Sequence, residues 1–270
     1  MPHAVARLRA DRLARSTKPF LARGGAKGER CTGCRLLPSH CLCAWRTSVP
    51  TRAGVCLLMA DTEPLKPSNT GWLVADVVPD TFAFGWTRTA TDLGLTALLQ
   101  DPQWQPLLVF PQAYAAPARV VHGLETGPAT AGTPGTRLVT PPGTLPGTPP
   151  GTLPGTTPAP RPLFILLDGT WAEARKMFRK SPALDQLPVL SLQPDQISRY
   201  RLRRARCGDH FCTSEVAALC LELAGDHRAA AVLQACLDVF THHYLQARNQ
   251  LAVDPQSPAH QRLLALHRPG

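Results

Sequence analysis

The segment 163–180 (LFILLDGTWAEARKMFRK) constrains the fold of this chain more than any other stretch of the sequence. It begins with the continuous apolar run 164–167, which is typical of a strand buried on both faces of a parallel sheet. Thr170 and Glu173 follow with the spacing of a capping box, which marks the first turn of a helix. A buried strand that passes directly into a helix predicts an α/β fold.

Asp168 lies between this strand and this helix, and it has no part in the predicted cap because Thr170 already fills that position. Open α/β sheets bind ligands at the carboxyl ends of their strands, which is where Asp168 is expected to lie. Aspartate is also common in ordinary turns. The spacing alone therefore leaves two interpretations open, a site residue and a turn residue.

The rest of the chain alternates short apolar runs with segments of helical periodicity, which predicts a mostly parallel sheet flanked by helices. Asn69 or Thr70 is expected to cap a helix over 72–78, whose first N–H groups would form an anion cradle. Thr91 is expected to cap a second helix over 91–99. Strands are predicted at 54–60, 81–86, 107–110 and 188–192, and further helices at Thr213 and after Asp226.

Four of the nine cysteines lie within thirteen residues. Cys31 and Cys34 have the C-x-x-C spacing that directs two thiolates at one metal ion, and Cys41 and Cys43 follow as a tighter pair. Four soft ligands in one loop favour a structural, tetrahedral Zn²⁺ site. His40 could replace one ligand, and buried or redox-active cysteines are the alternative. The crowding favours metal in a reducing compartment over a disulfide framework, so we expect a cytoplasmic protein.

The chain carries 29 Lys and Arg against 19 Asp and Glu, a formal net charge of +10. Most of the basic residues are arginines, which bind phosphate and stack on bases, so the charge favours a nucleic-acid partner. No apolar run approaches the roughly 20 residues of a membrane span, and no membrane partner is expected. The Arg-rich residues 1–30 lack the apolar segment of a secretory signal. We expect a flexible basic arm over residues 1–29, with an organellar transit peptide as the alternative.

Two segments have a biased composition. Residues 126–162 are a Pro/Gly/Thr repeat with few aliphatic side chains, which predicts a mobile surface insertion or, as the alternative, a ligand for a proline-recognising partner. Segment 197–206 (ISRYRLRRAR) combines five arginines with Tyr200. This composition suits RNA binding as well as an ordinary solvated loop.

The expected units are the arm (1–29), the cysteine knuckle (30–48), the main α/β domain (50–125 and 163–250), the insertion (126–162) and a tail (251–270).

Together these motifs resemble the DTW-domain family of tRNA-uridine aminocarboxypropyltransferases, over the range from Arg30 to about Arg248 apart from the insertion. Trp72 and Val216 depart from the family pattern, which has a basic residue and an alanine there, and the insertion is foreign to it. The matching segments are RCTGCRLLPSHCLC, Glu63 with Ser68-Asn69-Thr70-Gly71, Asp168-Gly169-Thr170-Trp171, Tyr200-Arg201-Leu202-Arg203 and Cys212-Thr213-Ser214-Glu215.

The resemblance implies a SPOUT-like fold with a knotted C-terminal segment that binds S-adenosylmethionine, and tRNA as the partner. It implies transfer of the 3-amino-3-carboxypropyl group to N3 of a uridine, with Asp168 as the base and Thr170 and Trp171 beside it. Trp171 either packs under the uracil or adenine or wedges its helix onto the sheet. The expected cofactor contacts are Asn69, Thr70, Phe110, Pro111, Leu190, Ser191, Thr213 and Glu215. The expected RNA contacts are Arg175, Lys176, Arg199, Tyr200, Arg201 and Arg203.

Two other functions remain open at this point. One is a SPOUT-type RNA methyltransferase, and the other is a non-catalytic RNA-binding protein with a zinc knuckle. The oligomeric state is also open, with a monomer favoured over a dimer.

Overall fold

The computed structural model describes residues 2–18, 20, 28–121, 123–124, 159–192 and 211–267. The strands within these residues form one sheet in which every neighbouring pair is parallel. They are β1 (Gly54–Met59), β2 (Thr81–Gly85), β3 (Trp104–Val109), β4 (Val120–Val121), β5 (Arg161–Asp168) and β6 (Val189–Leu190). Their order across the sheet is β2-β1-β5-β3-β6-β4. The predicted α/β fold with a mostly parallel sheet is confirmed.

Helices cover both faces of this sheet. Within the described ranges they are α1 (Ala4–Ala14), α2 (Gly71–Val77), α3 (Leu93–Gln100), α4 (Trp171–Lys180), α5 (Thr213–Leu223), α6 (His227–Arg248) and α7 (Pro258–His267). One apolar layer joins the sheet to α1, α2, α5 and α6, and the other joins it to α3 and α4.

β5 pairs with β1 on one side and β3 on the other, which explains its unbroken apolar run. Successive side chains of a strand point to opposite faces. Phe164 and Leu166 accordingly pack in the layer of α2 and α5, and Ile165 packs in the layer of α3 and α4. By the same alternation, Asp168 emerges on the side of α2 and α5.

The observed starts of the helices agree only in part with those predicted from the sequence. Thr170 and Glu173 form the predicted capping box of α4, with the Thr170 N–H donating to Glu173 Oε2 at 2.7 Å. The prediction that Thr91 caps the next helix upstream is wrong. Asp92 caps α3 instead, because its carboxylate directly precedes the helix and accepts two N–H groups of the first turn.

Both ends of the chain pack on the domain more closely than the sequence predicts. The expected flexible arm contains α1, whose Val5 is fully buried, and His3 stands edge-on to Trp72 with ring centroids 4.4 Å apart. The tail contains α7, which buries His260 and Leu263 completely. The prediction of a flexible arm is therefore wrong for residues 4–14. A short helix with so few buried side chains has no clear sequence pattern, and the surface it packs on decides its position.

A chain of hydrogen bonds ties the tail to the cysteine knuckle. His243 Nδ1 lies 3.0 Å from the carbonyl oxygen of His40, so Nδ1 donates, and in a neutral ring Nε2 is then the acceptor. His260 Nε2 lies 2.9 Å from His243 Nε2 and is therefore a donor. Ser257 Oγ then donates to His260 Nδ1 at 2.7 Å. Both rings are neutral in this arrangement, and burial lowers the pKa of His243 to about 4.

We expect His243 to stay neutral, with its proton on Nδ1, as the pH is lowered to about 4. In an unfolded chain a histidine binds its proton near pH 6.5, so this residue disfavours the folded state progressively as the pH falls from about 6.5 to about 4. Long-range ¹H–¹⁵N NMR spectra of the imidazoles report both protonation and tautomer. A charged His243 at about pH 6, or a neutral ring protonated on Nε2, would contradict the hydrogen-bond chain.

Candidate functional site

Asp168 ends β5 and is fully buried at the carboxyl edge of the sheet. Its Oδ2 accepts a hydrogen bond from Asn69 Nδ2 at 2.7 Å, and its Oδ1 accepts one from Thr213 Oγ1 at 2.6 Å. Both donors come from other elements, since Asn69 lies just before α2 and Thr213 begins α5. Asp168 is therefore more than a turn residue, because its carboxylate joins three separate segments of the chain.

Asn69 organises the loop that precedes α2. Its Nδ2 also lies 3.3 Å from Glu63 Oε1, and its Oδ1 accepts the N–H of Trp72 at 3.0 Å in the first turn of the helix. Glu63 is as buried as Asp168 and forms an ion pair with Lys66. One amide thus bridges two buried carboxylates. Burying such groups is costly without hydrogen bonds and a nearby opposite charge, and this loop supplies both.

The start of α5 packs against the same loop. Thr70 Oγ1 accepts the N–H of Ser214 at 3.4 Å, and Glu215 Oε2 accepts the N–H of Cys212 at 2.8 Å. Thr70 and Ser214 are both fully buried. Half of the predicted cofactor contacts therefore lie in one group around Asp168: Asn69, Thr70, Thr213 and Glu215.

Arg35 connects the cysteine knuckle to this loop, and sequence reasoning missed it. Its guanidinium donates to the carbonyl oxygens of Lys66, at 2.7 Å, and of Asn69, at 3.0 Å. The same group lies over the ring of Trp72, 4.1 Å from the centroid. These contacts offset part of the cost of burying a side chain that is 2% exposed. An arginine within the cysteine cluster was the sequence feature that could have indicated this contact. Its partner Trp72 is one of the two residues that differ from the family pattern.

The cysteine knuckle fits a zinc ion. The four Sγ atoms lie within 4.8 Å of one another, and three of the pairs are 3.6 Å apart. Thiolates bound at about 2.3 Å in a tetrahedron stand about 3.8 Å apart, so little rearrangement is needed. His40 lies outside the cluster, because its Nε2 contacts the carbonyl oxygen of Leu251 at 2.8 Å. The residues that would hold the metal are Cys31, Cys34, Cys41 and Cys43.

The backbone of the knuckle favours metal binding. Hydrogen bonds from the N–H groups of Cys34 and Gly33 lower the pKa of Cys31 to about 7, which favours the thiolate that binds metal. Burial instead raises the pKa of Cys43. A Cβ at Gly33 would lie 2.6 Å from Cys43 Sγ, so only glycine lets the chain pass this close to the sulfur atoms.

The other predicted cofactor contacts lie at the ends of β3 and β6. The N–H of Phe110 donates to the carbonyl oxygen of Leu190, and the N–H of Gln112 donates to Ser191 Oγ, each at 3.2 Å. Pro111 lies between these two positions and is exposed. β3 is the neighbour of β5 and β6 comes next, so this group is roughly 5–10 Å from Asp168 along the same edge.

The predicted catalytic residues Asp168, Thr170 and Trp171 do not form one cluster. Trp171 stacks on Phe110 with centroids 5.4 Å apart and packs in the layer of α3 and α4, opposite to the side on which Asp168 emerges. This packing favours the interpretation that Trp171 wedges α4 onto the sheet. Thr170 Oγ1 lies 2.6 Å from Glu173 Oε2, a contact that belongs to the helix cap.

The predicted RNA contacts divide between α4 and a segment outside the described residues. On α4, Lys176 is exposed and Arg175 is half-buried. Arg199, Tyr200, Arg201 and Arg203 lie outside the described residues, as does most of the predicted insertion 126–162. Among the helices of the described part of the chain, none has the length and apolar character needed to cross a membrane.

Gly71 must be glycine because a Cβ there would lie 2.6 Å from Asp168 Oδ2 and 3.1 Å from Leu57 Cδ1. We expect Gly71→Ala to push the carboxylate away from Asn69 and to lower the free energy of unfolding by about 1–3 kcal/mol. Urea unfolding measures this change. The control is Gly123→Ala, since a Cβ at Gly123 has no neighbour within 4 Å among the described residues. Wild-type stability in Gly71→Ala would show that this close packing does not exist.

We expect the purified protein to contain one zinc ion per chain, and Cys31→Ala combined with Cys34→Ala to abolish binding. Since Arg35 links the knuckle to the Asn69 loop, metal loss should also speed amide hydrogen exchange in residues 61–71. Elemental mass spectrometry and hydrogen-exchange mass spectrometry measure the two effects. The control is Cys236→Ala, a buried cysteine outside the cluster. Full zinc content in the double variant would exclude the knuckle as the metal site.

Comparison with known families gives a match to the model of the DTW domain, over residues 28–245. This range includes the cysteine knuckle, the Asn69 loop, β5 and the start of α5. No solved structure matches the chain.

Proposed function

The chain belongs to the DTW-domain family, and we propose that it is a tRNA-modifying enzyme that transfers the 3-amino-3-carboxypropyl group of S-adenosylmethionine to N3 of a uridine. The observation that carries the proposal is the buried carboxylate of Asp168, held by Asn69 and Thr213. Each of these side chains belongs to a different segment of the family resemblance. The fold brings all three to the edge of a parallel sheet where ligands bind.

The proposed reaction needs a proton acceptor, because uridine N3 is a poor nucleophile while it carries its proton. S-Adenosylmethionine supplies a sulfonium group. The bond from N3 to the methionyl Cγ forms while the Cγ–S bond breaks, and the electron pair of the broken bond leaves with sulfur as methylthioadenosine. Asp168 is the proposed acceptor of the N3 proton, a contribution of roughly 10²–10⁴-fold.

The burial of Asp168 adds a condition to this role. A uridine can reach the carboxylate only if a segment that covers it moves when the RNA binds, because the side chain is 0% exposed. Asn69 and Thr70 already bind protein groups through their side chains, so we assign them a positioning role. Asn69 and Thr213 then fix the direction of the carboxylate oxygens before the substrate arrives.

We place S-adenosylmethionine at the edge formed by β3 and β6, next to the strand of Asp168. Its proposed contacts there are Phe110, Pro111, Leu190 and Ser191. Thr213 and Glu215 lie on the side of α5, and because their side chains already bind Asp168 and the N–H of Cys212, we assign them a positioning role as well. A SPOUT-like knot stays a prediction, because residues 193–210 between β6 and α5 lie outside the described range. Zinc in the knuckle would act structurally, since four protein ligands leave no open position.

A tRNA partner suits the net charge of +10. Arg175 and Lys176 on α4 are the proposed phosphate contacts in the described part of the chain. Arg199, Tyr200, Arg201 and Arg203 are proposed as further contacts on the strength of the family resemblance.

Purified protein incubated with tRNA and S-adenosylmethionine labelled in the methionyl carboxyl group tests the proposed reaction directly. We expect label in tRNA in amounts that match the methylthioadenosine released. A parallel reaction with methyl-labelled S-adenosylmethionine should leave tRNA unlabelled. Methyl label in tRNA would instead show a methyltransferase, and RNA binding without any transfer or cofactor affinity would show a non-catalytic RNA-binding protein.

Asp168→Asn tests the proposed base. We expect kcat to fall by roughly 10²–10⁴-fold, because the amide cannot accept the N3 proton, while the Kd for S-adenosylmethionine changes little. Single-turnover kinetics and equilibrium dialysis measure the two quantities. Asp185→Asn, an exposed carboxylate on another loop, is the matched control. Wild-type turnover in Asp168→Asn would remove Asp168 from the chemistry, and an equal loss of cofactor binding would show a positioning residue.

A further inference from the structure

A cavity of about 120 Å³ opens beside the end of β2. Its walls include residues 85–92, from the end of β2 onward, and residues 180–184, from the end of α4 onward. Gly85 in this wall pairs with Met59 of β1, and Met59 pairs with Asp168 of β5. Two strand spacings therefore separate Gly85 from Asp168, roughly 10 Å along the same edge of the sheet. Leu58, Leu95 and Leu184 of the lining belong to the layer of α3 and α4, so the cavity opens on the face opposite to the side on which Asp168 emerges.

Trp86 gives the cavity a fixed aromatic wall. Its Nε1–H donates to Ser181 Oγ at 2.8 Å, and Ser181 is itself buried, so the indole is held between β2 and the end of α4. Lys176 Nζ lies 5.6 Å from the centroid of the ring. Aromatic side chains that hold single-stranded nucleic acids stack with bases in a largely sequence-independent way.

The rim of the cavity is positively charged. Arg88 and Lys180 line it, and both side chains are exposed. Asp92 is the one carboxylate among the lining residues, and its side chain caps α3. Two exposed cations beside an aromatic wall suit a nucleotide, because the cations bind its phosphate while its base packs on the ring.

We infer that this cavity binds one nucleotide of a single-stranded stretch of the RNA that carries the modified uridine. The phosphate lies at Arg88 and Lys180, and the base packs against Trp86. The inference rests on the proposed function, which makes RNA the substrate. A free nucleotide offers the same chemistry. The position of the cavity on the edge that carries Asp168, together with the basic charge of the chain, favours a nucleotide within RNA.

Fluorescence anisotropy with a labelled, uridine-containing single-stranded RNA, over a series of salt concentrations, tests the phosphate contacts. We expect Arg88→Ala and Lys180→Ala each to weaken binding several-fold and to lower the slope of log K against log salt by about 0.7–1. Arg228→Ala removes the same charge at the opposite end of the sheet. The nearby Asp226 accepts the N–H groups of Arg52 and Ala53 just before β1, which shows that Arg228 lies near the amino end of the sheet. Because this end is far from the cavity, the Arg228→Ala variant should bind RNA as the wild type does.

Trp86→Ala tests the aromatic wall, and we expect roughly tenfold weaker RNA binding. Trp86→Phe keeps an aromatic face while losing the hydrogen bond to Ser181, and it should retain most of the affinity. Thermal unfolding identifies a variant that fails to fold. The two surface variants at Arg88 and Lys180 keep the inference testable in that case.

The outcomes separate this inference from the proposed function, because binding is measured without S-adenosylmethionine. Weaker RNA binding by the cavity variants supports the inferred nucleotide site even if the wild-type protein transfers no group to tRNA. Wild-type affinity and salt slope in both cation variants overturn it even if transfer occurs, and so does a wild type that binds no RNA. Equal affinities for uridine monophosphate and the RNA overturn the assignment to RNA.

Discussion

The arrangement of this protein depends on the hydrogen bonds from Asn69 and Thr213 that hold the buried carboxylate of Asp168. A carboxylate without exposure to water is costly unless hydrogen-bond donors surround it, and Asn69 and Thr213 both donate to this one. Each donor brings its own element, so the loop before α2 and the start of α5 are fixed to the end of the central strand. Gly71 lets the loop approach the carboxylate without a steric clash. A single polar group thus determines how three segments meet at the carboxyl edge of the sheet.

The cysteine knuckle extends this arrangement beyond the sheet. Arg35 reaches from the knuckle to the carbonyl oxygen of Asn69, so the segment that would hold zinc also supports the residue that holds Asp168. On its other side the knuckle is tied to the tail through His40 and His243. The knuckle therefore acts as a brace between the tail and the candidate site. This role is independent of any contact that it makes with RNA.

Local patterns in the sequence predicted the parts of the fold that depend on local physics. The apolar run of β5, the capping box at Thr170 and the spacing of the four cysteines each describe interactions between close neighbours in the chain. The Asp168 contacts span 99 residues to Asn69 and 45 residues to Thr213, and no periodicity reports such distances. The contacts of Arg35 and the packing of α1 and α7 were not predicted for the same reason, because they join residues that are far apart in the sequence. Trp171 and Asp168 lie on opposite faces of the sheet. Their closeness in the sequence motif gives no indication of this separation.

Nucleoside mass spectrometry of tRNA from cells that lack the protein shows whether this edge of the sheet modifies a uridine in tRNA. We expect 3-(3-amino-3-carboxypropyl)uridine to disappear from at least one tRNA in these cells. The wild-type chain should restore the nucleoside, and Asp168→Asn should not. An unchanged amount of this nucleoside in cells without the protein would contradict the account.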